Sequence, residues 1–107
     1  MLEEAREFLE SLDQKTRSKI LFNIRKARGL NDPELLKKIT GVLWEFRTTY
    51  NGIQYRLLAF WDRSKKIETI VISTHGFLKR TDKVPFNEIN KALQIRQHYF
   101  DQKKTTA

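Results

Sequence analysis

VLWEFRTTYNGIQYRLLAFW, residues Val42 to Trp61, decides how this chain folds. Bulky and polar residues alternate along it with a period of two, the pattern of a strand that lies with one side buried. Asn51-Gly52 interrupts the run, and both residues accept the positive φ that a two-residue type I′ hairpin turn demands. The segment therefore predicts two antiparallel strands, Val42–Tyr50 and Ile53–Trp61, in one fixed register. Tyr50 faces Ile53, Thr48 meets Tyr55, Phe46 meets Leu57 and Trp44 meets Ala59. These pairs belong on the side that packs against helices.

The opposite side follows from the alternation. It carries Glu45, Arg47, Gln54 and Arg56, with Arg47 directly across from Arg56. Two like charges across a ladder cost up to about 1 kcal/mol. Either Glu45 relieves them as a neighbour, or an anion sits between the guanidiniums, whose forks suit a phosphate.

Toward the N-terminus, Leu2, Ala5, Phe8, Leu9 and Leu12 recur at helical spacing among glutamates. A second helix follows, opened by Ser11-x-x-Gln14 as a capping box or equally well by Asp13. Ile20, Leu21, Ile24 and Ala27 form its apolar stripe, and Gly29 ends it. Lys15, Arg17, Lys19, Arg25, Lys26 and Arg28 line the rest, as a solvated face or as a stripe tracking RNA. Asp32-Pro33-Glu34 reads as the cap and first turn of a short helical piece through Lys38.

Toward the C-terminus, Asp62–Lys66 is a polar turn and Ile67–Thr74 a third strand. It leads through His75 and Gly76 into a basic segment with Phe77, Lys79, Arg80 and Lys83. A turn of four residues places His75 on the Arg47/Arg56 side; a turn of five places it on the other. Pro85 suits the first position of a last helix, whose stripe is Phe86, Ile89, Ala92, Leu93, Tyr99 and Phe100, with Arg96 beside it. His98 falls outside that stripe and is expected at the surface. Asp101–Ala107 reads as a frayed tail. The expected fold is α+β: two N-terminal helices, an antiparallel three-stranded sheet and a closing helix, with one side of the sheet open.

At 107 residues the chain is expected to form a single domain, 1–107. It has no cysteine and two distant histidines, His75 and His98, so neither disulfides, a metal centre nor any cofactor is expected. No apolar run is long enough for a bilayer, and the acidic start MLEEAREFLE is unlike a signal peptide, which predicts a cytoplasmic protein without membrane attachment. Twenty-one Lys and Arg against 13 Asp and Glu leave a net charge of +8. That balance favours a polyanionic partner, nucleic acid or acidic protein.

Trp44-Glu45-Phe46-Arg47, Tyr55-Arg56-Leu57-Leu58 and His75-Gly76-Phe77-Leu78-Lys79-Arg80-Thr81, with Pro85 opening a helix, closely resemble the HigB-like, phage-derived branch of the RelE/ParE toxin superfamily. The resemblance runs from about Glu3 to Phe100. Two features depart from the family pattern. Family members usually open with a strand before the first helix, whereas this chain opens on the helix; either that strand lies outside this sequence, or the sheet has lost an edge, which would expose backbone groups that invite self-association. Val84 stands where a capping Thr often precedes the helix-opening Pro, so the cap must come from elsewhere, with Asp82 a candidate.

The resemblance implies the toxin of a type II toxin–antitoxin pair, acting as a ribosome-dependent mRNA endonuclease and neutralised by a helix-turn-helix antitoxin. Carried onto this sequence, Arg47, Arg56, His75, Lys79 and Arg80 are the catalytic candidates, with Lys83, Phe77 and Gln54 contacting RNA. Cleavage without a metal uses the 2′-OH as nucleophile and needs a base, an acid and cations for the charge on phosphate. His75 suits proton transfer, the two arginines suit the phosphate, and Phe77 either stacks on a base or packs beneath the segment. A gyrase poison on the same fold and a non-catalytic basic interaction module are the competing functions.

Overall fold

The computed structural model describes residues 1–29, 32–63, 69–78 and 84–106, the third of these through its backbone. The elements are α1 (Glu3–Glu10), α2 (Gln14–Gly29), β1 (Leu36–Thr40), β2 (Leu43–Tyr50), β3 (Ile53–Asp62), β4 (Thr69–Leu78) and α3 (Phe86–Thr106). The four strands form one antiparallel sheet in the order β1-β2-β3-β4.

The central hairpin has the predicted register: Tyr50 pairs with Ile53, Thr48 with Tyr55, Phe46 with Leu57 and Trp44 with Ala59. Asn51 (φ 52°) and Gly52 (φ 75°) both lie in the left-handed region, as the type I′ turn requires. The expected helices and three-strand meander are present, and the structure adds a fourth strand. The piece expected to be helical through Lys38 is instead one turn followed by β1. Asp32 does what a cap residue does, accepting the Glu34 N–H on its carboxylate (2.9 Å) and the Leu35 and Leu36 N–H groups on its carbonyl (3.0 Å each). The turn does not propagate, because so short a helix nucleates poorly whereas the segment 36–40 finds a ladder partner in β2.

Helices cover both sides of the sheet. On one side α1 and α2 bury Ala5, Leu9, Ile20, Ile24 and Ala27 against Phe46, Tyr55, Leu57 and Ala59. On the other, expected to be open, α3 packs Ala92, Ile89, Tyr99 and Phe100 on Leu43, Leu58 and Phe60. The Phe60 ring lies 5.3 Å from Tyr99 and 5.7 Å from Phe100 between centroids. Among the described residues, this side stays accessible near the Asn51-Gly52 turn, around Thr49, Gln54 and Arg47, and at Lys37 of β1. Phe86 (76% exposed) and Leu93 (38% exposed) point away from the sheet, so the stripe of α3 is narrower than its sequence suggested. The helix also continues through Thr106, across the segment read as a tail. His98 is exposed, as expected.

β1 is an outer strand of the sheet, and exposed Lys37 and Lys38 guard it, a common defence against edge-to-edge pairing. At the other end of the chain's first turn-over, Ser11 closes α1 by donating to the Phe8 carbonyl (2.6 Å). Asp13 opens α2, accepting the Thr16 N–H at 2.9 Å. The Thr16 hydroxyl and then its backbone N–H hold the Asp13 carboxyl below the usual carboxylate range. A depressed folded-state pKa contributes stability above the unfolded value, lost as pH falls through the folded one. Asp13→Ala is therefore expected to lower the melting temperature at neutral pH, by a margin that shrinks under acid. A margin independent of pH in parallel thermal melts would refute the cap's ionised role.

Candidate functional site

The site starts from the hairpin register. Because Tyr50 pairs with Ile53, Arg47 pairs with Arg56 three rungs further along. Glu45 precedes Arg47 by two residues and so shares its side of the sheet. Its carboxylate oxygen Oε1 lies 3.4 Å from Arg47 Nε and 3.3 Å from Arg56 Nε. Of the two resolutions of the like-charge pair, the structure shows the internal one: Glu45 lies between the guanidiniums. The cluster keeps one positive charge in excess.

The two arginines are not equivalent. Arg56 is 3% exposed, donates Nη1 to the Tyr55 carbonyl (3.1 Å) and Nη2 to Gln54 Oε1 (2.8 Å), while its Nε has no hydrogen-bond partner among the described residues. Burial pulls this guanidinium below its ordinary pKa range and Glu45 works against that, with Arg47 adding to the fall. It stays a cation at physiological pH. Arg47 is more accessible, with 28% of its side chain exposed. Its Nη1 donates to the Pro33 carbonyl (3.3 Å) and its backbone N–H to the Leu35 carbonyl (2.8 Å). Arg47 thus presents the charge, and Arg56 is built in behind it. Gln54 is exposed at the rim, with its amide oxygen committed to Arg56.

The other candidates come from β4 and the segment after it. Thr69–Leu78 is the fourth strand, longer than the expected Ile67–Thr74, so His75 and Phe77 lie within it and not beyond it. By backbone register Phe77 pairs with Arg56 and Gly76 with Leu57, while Ala59 pairs with Ile72. That shift leaves residues 73–75 opposite Leu58 alone. Neither expected turn length holds, because Asp62 pairs with Thr69 and residues 63–68 lie between. The ladder therefore brings the backbone at His75 beside the arginine pair through an irregularity. Lys79, Arg80 and Lys83 lie outside the described residues, as does Asp82 as a cap for α3. The Pro85 carbonyl accepts the Glu88 and Ile89 N–H groups at 3.0 and 3.2 Å.

A second polar cluster went unread in the sequence. At the far end of β3, Asp62 (4% exposed) accepts hydrogen bonds from Tyr99 Oη and Lys103 Nζ, both at 2.6 Å on Oδ2. Tyr99 and Lys103 are one helical turn apart, the only local signal; their partner is 37 residues from Tyr99. The cluster pins the end of α3 to the sheet. Burial foremost, then Asp62, raises the Tyr99 hydroxyl, and the hydrogen bond to Asp62 raises Lys103. Raised folded values contribute stability that is complete below the unfolded pKa and lost as pH climbs through the folded one. Thermal melts between about pH 9 and 12 are expected to show falling stability, with a shallower fall in Tyr99→Phe. An identical slope in the variant would show that this hydroxyl is not a coupling group.

Fold and site together define a small basic α+β protein whose sheet presents one accessible arginine backed by a buried carboxylate and a second arginine. Residues 7–97 match the family described as Phage derived protein Gp49-like (DUF891). The chain belongs to that family, one associated with the toxins of toxin–antitoxin systems. No curated protein and no solved structure matches the chain. Among the described residues, no helix is long and apolar enough to cross a membrane.

Proposed function

We propose that the chain is the toxin of a type II toxin–antitoxin pair and cleaves mRNA engaged with the ribosome. The observation that carries this reading is Arg47, partly exposed on the accessible end of the sheet and held in place by Glu45 and the Pro33 carbonyl. A guanidinium held in that way can meet a phosphate without first being ordered, which is what transition-state stabilisation asks of a cation. The backbone at His75 lies alongside, on the strand that pairs with Arg56.

In the proposed reaction a base takes the proton from a ribose 2′-OH as the 2′-oxygen bonds to the adjacent phosphorus. The bond from phosphorus to the 5′-oxygen breaks, and an acid protonates that leaving oxygen. Arg47 bears on the phosphate and Arg56 supports it from below. His75 serves in proton transfer, Lys79 and Arg80 hold the flanking backbone, and Lys83, Phe77 and Gln54 contact the strand. The partners are a helix-turn-helix antitoxin and ribosome-bound mRNA, and the compartment is the cytoplasm.

One observation favours a second reading. Glu45 already neutralises part of the arginine pair, and Arg56 is buried, as in a purely structural cluster. A gyrase poison or a basic interaction module fits that arrangement without nuclease chemistry. Inducible expression followed by mapping of mRNA 5′ ends separates the three. Cuts within translated codons support the nuclease, and a DNA-damage response without cuts supports the poison. Full growth arrest with Arg47 and Arg56 both replaced supports the module.

A further inference from the structure

On the side of the sheet opposite Arg47, α2 turns a second charged surface to solvent. Its stripe of Ile20, Ile24 and Ala27 is buried. Lys15, Lys19, Phe22 and Lys26, at spacings of four, three and four, form the outward stripe, with Arg25 alongside. It runs about 16 Å along the helix. Phe22 is 51% exposed at its centre, with Lys19 Nζ 5.4 Å from the ring centroid.

This pattern works against the helix that carries it. There is no Asp or Glu from Gln14 to Gly29. Lys15 sits in the first turn, where the helix dipole favours an anion. Lys15 and Lys19 repel one another at a spacing of four. Among the described residues none of these cations has a carboxylate within ion-pair distance, and the only compensating charge the helix carries is its cap Asp13, which acts on Lys15 from further off. An anionic partner would offset all of these costs at once.

We propose that this stripe is a docking surface for an acidic amphipathic helix of another protein, with carboxylates opposite Lys15, Lys19 and Lys26 and an apolar residue against Phe22. Three observations favour a protein over an RNA strand. A lone helix is convex, whereas single strands are usually tracked along a groove. Lys19 already lies over the Phe22 ring on which a base would stack. A helical stripe with an apolar centre also matches the ridges-into-grooves packing of a second helix. Because α2 and Arg47 lie on opposite sides of the sheet, a partner docked here leaves Arg47 uncovered. The proposal does not depend on the nuclease reading.

The test uses the full chain and two fluorescein-labelled probes in anisotropy titrations. One is a synthetic peptide of about 18 residues with glutamates spaced four apart around a leucine stripe. The other is polyuridylate of about 12 nucleotides. The peptide is expected to bind, and K19E/K26E to weaken it by about tenfold or more while circular dichroism stays unchanged. F22S, which leaves every charge in place, is expected to weaken the peptide too, and neither variant to change polyuridylate binding. Absence of peptide binding, or peptide binding indifferent to both variants, overturns the proposal. Loss of polyuridylate in K19E/K26E, alone or together with the peptide, overturns it as well and assigns the stripe to nucleic acid or to bulk charge.

Discussion

Glu45→Ala is expected to destabilise the fold by about 3–5 kcal/mol, a large fraction of what a domain of this size has to lose. The reason is what the substitution leaves behind. Arg56 is 3% exposed and its Nε already lacks a hydrogen-bond partner among the described residues, so the Glu45 carboxylate at 3.3 Å is its compensating charge. Without it, a buried guanidinium faces Arg47 with no other carboxylate of the described residues between them. A double variant, Glu45→Leu with Arg56→Met, removes charge and countercharge together and is expected to recover most of the loss, since matched apolar replacement of a buried pair is often neutral. Urea denaturation of the two single variants and the double gives the coupling directly. A cost below about 1 kcal/mol for Glu45→Ala would mean that Arg56 reaches solvent or another partner in solution.

Arg47→Ala is expected to fold normally and to lose cleavage by about a hundredfold or more, the usual scale for removing one preorganised cation from a reacting phosphate. Its side chain is 28% exposed and its hydrogen bond to the Pro33 carbonyl is at the surface, so little of the fold depends on it. Arg47→Lys keeps the charge but not the fork, and is expected to recover only part of the activity. The readout is the yield of new mRNA 5′ ends after induction, with growth arrest measured alongside. Full arrest by a folded Arg47→Ala protein would remove Arg47 from the site. His75→Ala belongs in the same experiment. Arg56→Ala is less informative than the sequence suggested, because burying that residue ties its loss to stability as well as to chemistry.

The contrast between the arginines shows what could and could not be read beforehand. The hairpin register was legible because a two-residue turn and strict alternation leave no freedom, and from it came the Arg47–Arg56 pair. Exposure was not, because it depends on how parts of the chain distant in sequence pack over that side of the sheet. Yet one signal pointed to it. Leu57, Leu58, Ala59 and Phe60 run four apolar residues in a row, which a sheet with one wet side would not place there. β1 was missed for a different reason: Asp32-Pro33-Glu34 has the right chemistry for a helix start, and only pairing with β2 overrides it. Asp62 with Tyr99 and Lys103 is a purely tertiary constellation. The side taken by His75 stayed open between two turn lengths, and counting turn residues fails where the β3–β4 register slips.

Two contacts join Arg47 to the stretch leading into β1, one from its amide and one from its guanidinium. β1 is an edge strand and the shortest of the sheet, so fraying there is expected to unseat the Arg47 side chain and expose its amide in the same event. Deuterium uptake at that single amide becomes a gauge of how much of the population holds Arg47 in place, readable without any ligand present.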